Sequence, residues 1–323
     1  MARVSIIGAT TWGNTLARLI AANGVHVRVW AKAAEQAAAL QPHYEASMIE
    51  FSADPMFVAD GCDVAIFAVP SQSVRRSVRI FAGLLSGTAM LVSAAKGLEA
   101  DTGKRMTEIL AEETGRTGLK GLAVISGPNL SAEINQGLPA VTVIASEAFQ
   151  NVQDLIQLIA SDSFSVYTSR DVKGVEICGA LKNVIALGAG MSDGLKLGSN
   201  AKAALVTVGW QEVTGLGKKL GADEETFTGF AGLGDLITTC ISPLSRNYHV
   251  GYELAGGKSL PEVLATMSNV VEGVGTARAT HLLRAKLSYE MPLMEAIYKV
   301  LNGELAPAGI KQHFLNGHAG RVI

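Results

Sequence analysis

The feature that most constrains this chain is the alternation of short apolar segments with helical patterns in its first half. Segments that read as β-strands lie at 4–7, 25–30, 64–69, 90–92, 122–125, 140–144 and 164–168. Most are apolar throughout, which is typical of strands covered on both faces in a parallel sheet. Because helical patterns separate them, the alternation predicts an α/β fold with a doubly wound parallel sheet.

The second half of the chain has a different pattern. Beyond residue 169 the strand signals fade, and helical patterns follow at 171–191, 200–219, 245–255, 260–267, 274–286 and 292–302. The sequence therefore predicts two domains, a Rossmann-type sheet domain at 1–182 and an all-helical domain at 183–323. A cleft between two domains is a common place for a small-molecule site, and we expect the active site there.

Composition and charge exclude several classes of protein. Lys and Arg number 27 against 29 Asp and Glu, without the basic excess typical of nucleic-acid binding. The sequence contains no run of 18 apolar residues, so it predicts no transmembrane helix. The three cysteines, Cys62, Cys178 and Cys240, are far apart, which argues against a metal site and favours reduced thiols in a cytoplasmic protein.

A glycine-containing turn follows the first strand directly. Gly8-Ala9-Thr10-Thr11-Trp12-Gly13 ends that strand and opens a helical pattern, as in dinucleotide-binding turns, where glycines let the backbone approach a pyrophosphate. Thr10 occupies the middle position, where a Cβ would crowd the phosphates. An ordinary strand–turn–helix is the alternative, but the second strand at 25–30 favours the dinucleotide site.

The end of the second strand bears on coenzyme choice. An acid normally stands there and binds the ribose hydroxyls of NAD. Here the strand ends Val29-Trp30-Ala31-Lys32, and the next acid is Glu35. A cation at this place favours the 2′-phosphate of NADP, and a solvated surface lysine is the alternative.

Polar or glycine-containing turns follow several other strands. Lys96-Gly97 comes after 90–92, and Ser126-Gly127-Pro128-Asn129 comes after 122–125. Each alone could be a simple loop. Together they are suggestive, because ligands of open α/β sheets bind at the carboxyl ends of the strands.

Lys182 is the most informative charged residue of the helical half. On helix 171–191 its neighbours three and four positions away are uncharged: Cys178, Gly179, Ile185 and Ala186. Such a lysine either extends to water or is desolvated. Desolvation would lower its pKa and suit the amine to proton transfer.

A second polar group precedes the helix at 245–255. Gly229, Gly232 and Gly234 lead to Asp235, and Ser245 is a plausible N-cap followed by Arg246 and Asn247. A helix N-terminus with an arginine can bind an anion. A capped helix carrying a surface arginine is the alternative.

Taken in order, these motifs resemble the NAD(P)-dependent glycerol-3-phosphate dehydrogenases of the bacterial type. The resemblance covers Ile7 to about Leu301. It rests on Gly8 to Gly13, Val69-Pro70-Ser71-Gln72, Lys96-Gly97-Leu98-Glu99, Ser126-Gly127-Pro128, Gly174-Val175-Glu176, Lys182-Asn183-Val184-Ile185-Ala186, Gly229 to Asp235, Ser245-Arg246-Asn247 and Val271-Glu272-Gly273.

The resemblance implies an oxidoreductase that reversibly reduces dihydroxyacetone phosphate with NAD(P)H to sn-glycerol 3-phosphate, a precursor of glycerophospholipids. It implies a homodimer whose helical domain holds the substrate. Lys182 is the implied proton donor and acceptor, with Lys96 and Asp235 as further catalytic residues. The implied substrate residues are Lys96, Gly127, Lys182, Asp235, Ser245, Arg246 and Asn247. The implied coenzyme residues, with NADP(H) preferred over NAD(H), are Gly8, Thr10, Thr11, Trp12, Gly13, Lys32, Lys96, Ser131, Arg246, Val270 and Glu272.

The chain departs from the family pattern at two notable positions. Thr10 stands where glycine is usual, and Val208 stands where the family has arginine in a Thr-Arg-Gly run. Two other functions stay open. One is a related dehydrogenase acting on another hydroxy or keto acid, which the Ser245-Arg246-Asn247 motif disfavours. The other is a non-catalytic nucleotide sensor, which the retained Lys96, Lys182 and Asp235 disfavour.

Overall fold

The chain forms two compact units. The structure, a computed structural model, describes residues 2–115, 121–148, 152–267 and 269–315. Unit 1 comprises Met1–Lys96 and Arg105–Val175, and unit 2 comprises Gly97–Lys104 and Glu176–Ile323. The division falls before the boundary predicted at residue 182. It also gives a short segment of the first half to unit 2, where Asp101 forms an ion pair with Arg278 at 2.9 Å.

Unit 1 is built on one eight-stranded sheet in the order β3-β2-β1-β4-β5-β6-β7-β8. The strands are β1 Val4–Ile7, β2 Val27–Trp30, β3 Ile49–Ser52, β4 Val64–Phe67, β5 Met90–Ser93, β6 Leu122–Ser126, β7 Ala140–Ala145 and β8 Phe164–Ser169. The first six in chain order are mutually parallel. This confirms the predicted doubly wound α/β fold.

Two features of the sheet differ from the sequence prediction. The edge strand β3 was not predicted, because two of its four residues, Glu50 and Ser52, are polar and interrupt the apolar pattern. In addition, β7 pairs antiparallel with β6, and β8 follows the direction of β7. Only one turn of helix, Ser131–Ile134, connects β6 to β7, whereas parallel neighbours normally need a longer crossover.

Helices cover both faces of this sheet. They are α1 Thr11–Ala22, α2 Ala34–Leu40, α3 Pro55–Ala59, α4 Val74–Phe81, α5 Met106–Thr114, α6 Ser131–Ile134 and α7 Val152–Ile159. Consecutive strand residues enter opposite cores: Ile6 and Ile66 pack in one apolar cluster, and Ile7 and Phe67 pack in the other. Because both faces are buried, the strands are apolar throughout rather than alternating.

Unit 2 contains the helices of the second half. They are α8 Val172–Gly194, which begins in unit 1, then α9 Ser199–Lys219, α10 Glu224–Thr228, α11 Asp235–Ile241, α12 Arg246–Ala255, α13 Leu260–Ala265, α14 Glu272–Lys286, α15 Pro292–Leu301 and α16 Lys311–Leu315. A short π-helix, Phe230–Gly234, leads directly into α11. This confirms the predicted helical C-terminal domain.

Helix α8 forms the centre of unit 2. Within the described ranges it alone is long and apolar enough to cross a membrane by length and composition, and its most apolar 18 residues are all buried inside the protein. Gly190 and Gly251 allow α8 and α12 to approach closely. An added Cβ at Gly190 would lie 2.0 Å from the carbonyl oxygen of Tyr248, and one at Gly251 would lie 1.9 Å from that of Leu187.

A buried carboxylate joins α9 to the start of α15. Glu212 is 5% exposed, and its two carboxylate oxygens accept hydrogen bonds from the backbone N–H groups of Leu293, at 2.8 Å, and Met294, at 3.0 Å. The N-cap residue of α15, Met291, makes no side-chain cap, so Glu212 caps this helix from a distant position in the sequence. Burial raises the pKa of Glu212 to about 7, against the opposing effect of the two N–H donors.

This raised pKa predicts a pH-dependent stability. Between about pH 4.5 and pH 7 the folded protein keeps a proton on Glu212 that the unfolded chain releases. The free energy of unfolding should therefore fall as pH rises through this window, by at most about 1.4 kcal/mol per pH unit, and then level off. Glu212→Gln should remove this pH dependence, as measured by urea denaturation from pH 5 to 8. Its single amide oxygen can still accept from one of the two N–H groups at the start of α15.

Two other variants separate charge from capping. Glu212→Ala should also lose the pH slope, and it should be less stable than Glu212→Gln by about 1–3 kcal/mol at every pH, because buried N–H groups are left without an acceptor. Glu262→Gln changes an exposed cap, that of Ser259 at the start of α13, and should leave the slope above pH 5 unchanged. A Glu212→Gln variant with the wild-type slope would contradict the assignment.

Candidate active site

The predicted dinucleotide-binding turn has the backbone geometry of such a turn. Gly8 has φ +125°, a conformation that side chains rarely adopt, and a Cβ there would lie 2.8 Å from Val69. A Cβ on Gly13 would lie 2.1 Å from the carbonyl oxygen of Gly8. The N–H groups of Gly8 and Ala9 both donate to the carbonyl of Trp30, at 3.2 and 3.0 Å, which holds the turn against the end of β2.

Thr10 has a structural role in this turn that the sequence did not reveal. It is the N-cap of α1, and its hydroxyl oxygen accepts from the N–H of Gly13 at 3.0 Å. The same hydroxyl donates to the carbonyl of Ala68 at 2.7 Å, at the end of β4. The hydroxyl group is thus directed into the protein, so Thr10 stabilises the start of the helix on which a pyrophosphate would rest.

The residues of this turn fit a dinucleotide. Gly8 and Gly13 let the turn pack closely against the chain around it, and the first turn of α1 presents Thr11, which is exposed. The indole Nε1 of Trp12 is buried and has no hydrogen-bond partner among the described residues. A buried N–H group of this kind is unfavourable unless a ligand or water accepts from it, so Trp12 is a suitable donor to a bound coenzyme.

Two of the predicted substrate residues lie together at the carboxyl ends of β5 and β6. The ammonium of Lys96 donates to the carbonyl of Gly127 at 2.6 Å. Gly127 has φ +149°, and a Cβ there would lie 3.2 Å from the carbonyl oxygen of Val141 in β7. The following loop is fixed by Asn129, whose amide donates to the same Val141 carbonyl at 2.9 Å. Ser131, predicted to contact coenzyme, begins α6 just beyond.

Lys182 in unit 2 is buried and paired. It is 5% exposed, and its ammonium donates to a carboxylate oxygen of Asp235 and to the hydroxyl of Thr239, both at 2.5 Å. The Thr239 hydroxyl in turn donates to the backbone carbonyl of Asp235 at 2.7 Å. Of the two alternatives drawn from the sequence, extension to water is wrong, and the desolvated lysine has a carboxylate partner on another helix.

Thr239 is the member of this group that the sequence analysis missed. Its signal was its spacing, because Thr239 lies four residues after Asp235 and therefore on the same face of α11. The next residue, Cys240, is also buried, and burial raises the pKa of its thiol to about 12. A thiol with such a pKa stays protonated, so Cys240 is not a nucleophile here.

An amide network joins the start of α12 to α8 and α14. Asn247 donates from its side-chain amide to Asn183, the neighbour of Lys182, at 2.9 Å. Its side-chain carbonyl accepts from the N–H of Gly273 at 2.9 Å. A Cβ at Gly273 would lie 2.8 Å from the Asn247 oxygen, so the glycine allows this contact. Both ends of the Asn247 side chain are therefore used to fix the start of α12.

The N-terminus of α12 has the predicted cap. Ser245 accepts from the N–H of Tyr248 at 3.3 Å, which leaves the N–H groups of Arg246 and Asn247 without an intrahelical acceptor, as at every helix start. The guanidinium of Arg246 donates to the carbonyl of Val270 at 2.7 Å. Val270 and Glu272, both predicted to contact coenzyme, flank the beginning of α14.

The structure thus groups the predicted site residues within each unit. In unit 2 the Lys182–Asp235 ion pair and the Asn183–Asn247 hydrogen bond involve consecutive residues of α8. Asn247 directly follows Arg246, which contacts Val270. In unit 1 the glycine turn, Lys96 and Gly127 follow strands that run in the same direction, so they lie along the same edge of the sheet. Val208, which replaces the family's arginine, is 8% exposed and packs in the apolar core of unit 2.

Comparisons with known proteins agree with this arrangement. The family model of the NAD-dependent glycerol-3-phosphate dehydrogenase N-terminus matches residues 3–152, and that of the C-terminus matches residues 171–312. The glycerol-3-phosphate dehydrogenase [NAD(P)+] of Dehalococcoides mccartyi is 44% identical over 100% of this chain and 93% of its own length. That of Corynebacterium aurimucosum is 42% identical over 93% of each chain.

A solved structure supports the same relationship in three dimensions. The glycerol-3-phosphate dehydrogenase of Coxiella burnetii superimposes with a TM-score of 0.92 at 33% identity, covering 98% of this chain and 99% of the other. Both family models, together with relatives of this identity and coverage, match the two units in order. The chain therefore belongs to the NAD-dependent glycerol-3-phosphate dehydrogenase family.

Proposed function

We propose that this protein catalyses the reversible NAD(P)H-dependent reduction of dihydroxyacetone phosphate to sn-glycerol 3-phosphate. The observation that carries the proposal is the buried Lys182–Asp235 pair, whose lysine is followed in α8 by Asn183, the hydrogen-bond partner of Asn247 at the arginine-bearing start of α12. Such a site offers a proton donor for a carbonyl and a cation for a phosphate, the two groups that distinguish this substrate.

Lys182 is the proposed general acid. The bound coenzyme supplies a hydride to the carbonyl carbon, and the carbonyl oxygen then needs a proton. The Lys182 ammonium gives that proton and becomes a neutral amine, and it takes the proton back when glycerol 3-phosphate is oxidised. Asp235 and Thr239 hold the nitrogen in place, since both lie within 2.5 Å of it.

Lys96 is proposed to add positive charge at the developing oxyanion. Its contact with the Gly127 carbonyl orients the ammonium at the carboxyl end of β5. In this proposal Lys96 and Gly127 also contact the substrate, and Thr11, Trp12, Lys32 and Ser131 line the coenzyme.

The start of α12 is the proposed phosphate site. Ser245, Arg246 and the backbone N–H groups of the first turn offer charge-assisted and neutral donors to a dianion. Because both ends of the Asn247 side chain bind within the protein, we assign its contribution to its backbone N–H. Arg246, Val270 and Glu272 are also proposed to approach the coenzyme.

The proposed coenzyme is NADP(H) in preference to NAD(H). Lys32 is exposed just beyond β2, and its charge suits the 2′-phosphate. On the family resemblance we further propose that the protein works as a homodimer in the cytoplasm and supplies glycerol 3-phosphate for glycerophospholipid synthesis.

A direct assay tests the reaction and the coenzyme choice together. Oxidation of NADPH and of NADH is followed at 340 nm with dihydroxyacetone phosphate and with a panel of 2-keto acids. We expect turnover with dihydroxyacetone phosphate and a higher kcat/KM for NADPH than for NADH. Turnover of a keto acid alone would favour the related dehydrogenase, and coenzyme binding without turnover would favour the nucleotide sensor.

A further inference from the structure

We infer that Gln36 sets the coenzyme preference of this protein by keeping a neutral amide where an acid would select NADH. This inference rests on the proposed coenzyme site in unit 1. Gln36 lies in the first turn of α2, six residues after Trp30, the last residue of β2. It was not among the site residues predicted from the sequence.

The Gln36 side chain connects the two loops that a dinucleotide would contact. Its carbonyl oxygen accepts from the backbone N–H of Lys32 at 3.1 Å. Its amide nitrogen donates to the carbonyl of Ala9, within the glycine turn, at 3.2 Å. The side chain therefore lies between the pyrophosphate turn and the end of β2, which is where the adenosine ribose binds in dinucleotide folds.

The chemistry of the amide suits a phosphorylated ribose. A carboxylate at the end of β2 accepts the ribose hydroxyls of NADH and repels a 2′-phosphate. An amide carries no charge, and here its oxygen already accepts from Lys32. The exposed ammonium of Lys32 then provides a positive charge beside the end of β2, which favours the 2′-phosphate of NADPH.

The role of Gln36 can be tested by substitution without unfolding the protein. Both of its hydrogen bonds are exposed to solvent, so their loss should cost little stability. A carboxylate at residue 36 can still accept from the Lys32 N–H, and it would place a negative charge beside the end of β2. It loses the donation to the Ala9 carbonyl, as alanine also does, so Gln36→Ala measures that loss separately. A nearly isosteric change can therefore separate the charge from the shape of the side chain.

The experiment measures the dissociation constants of NADPH and NADH by titration calorimetry for Gln36→Glu and Gln36→Ala. Gln36→Glu should weaken NADPH about tenfold more than NADH at low salt, because a charge a few ångströms from a phosphate dianion is repulsive. That excess should shrink at about 0.5 M NaCl, where exposed charges are screened. Gln36→Ala should weaken both coenzymes by a similar small factor.

Two variants serve as controls. Gln41→Glu changes a similar side chain, whose amide nitrogen donates to the carbonyl of Ile49 at 2.9 Å and whose oxygen accepts from the N–H of Phe51 at 2.8 Å. Both contacts are made to β3, away from the glycine turn. This variant should leave the ratio of the NADPH and NADH dissociation constants unchanged. Lys32→Ala should reduce the ratio with little effect on NADH. Thermal unfolding of each free variant checks that it is folded.

The outcomes separate this inference from the proposed function. The role of Gln36 would be overturned if Gln36→Glu left the ratio of the NADPH and NADH dissociation constants unchanged, or if the change in this ratio were equally large in high salt. Either result would leave the proposed reaction unaffected. If the wild-type protein bound neither coenzyme, the proposed function itself would fail. An equal loss of both coenzymes in Gln36→Glu and Gln36→Ala would indicate that Gln36 only supports the loops.

Discussion

Replacing Lys182 with alanine should lower kcat by about 10²- to 10⁴-fold, the range for loss of a general acid–base group, and leave coenzyme binding intact. The reason is that the carbonyl oxygen loses its positioned proton donor. Stopped-flow or steady-state oxidation of NADPH with dihydroxyacetone phosphate measures the loss. Small alkylammonium ions should restore part of the rate, because they can supply the missing proton.

The stability of this variant needs its own control. Asp235 is 1% exposed, and removing the ammonium leaves its carboxylate buried without the partner at 2.5 Å, which can cost about 3–5 kcal/mol. The double variant Lys182→Met, Asp235→Asn removes both charges and should be more stable but equally inactive. Lys202→Ala breaks another ion pair of unit 2, with Asp193 at 2.7 Å, and should keep normal turnover. Near-normal kcat in Lys182→Ala would refute the assignment.

Replacing Arg246 with alanine should lower kcat/KM for dihydroxyacetone phosphate by about a hundredfold or more. A charge-assisted contact to the phosphate contributes binding energy that also positions the carbonyl, so its loss lowers the rate as well as the affinity. Unphosphorylated dihydroxyacetone, which is turned over slowly, should be affected far less. The measurement is the ratio of kcat/KM for the two substrates.

Arg246 also donates to the Val270 carbonyl, so a purely structural effect must be separated from a phosphate effect. Arg246→Lys keeps the charge but loses the planar donor pair, and it should recover part of the discrimination. Arg278→Ala removes an exposed arginine on α14 that pairs with Asp101, and it should leave the ratio unchanged. Equal losses with both substrates in Arg246→Ala would argue against a phosphate site.

The local sequence was sufficient to predict the architecture. The buried strands of unit 1 are apolar on both faces, because consecutive residues such as Ile6 and Ile7 pack in different cores. This pattern predicted the doubly wound sheet. The N-cap at Ser245 was equally visible, because capping depends on a side chain and the N–H group three residues later. Two features had no clear local signal: the edge strand β3, in which two of four residues are polar, and the direction of β7, which is set by its pairing with β6.

The roles of several residues were decided only by tertiary structure. The residues around Lys182 left open whether its ammonium extends to water or is desolvated, and the family resemblance implied the proton-transfer role. Its ion-pair partner was decided by the fold, because Asp235 lies 53 residues away on another helix. Thr10 read as a defect in a glycine turn, whereas the fold brings the Ala68 carbonyl to its hydroxyl and makes it a helix cap. Glu212 and Gln36 carry no motif at all. Their functions arise from backbone groups of other segments, which a sequence cannot place in space.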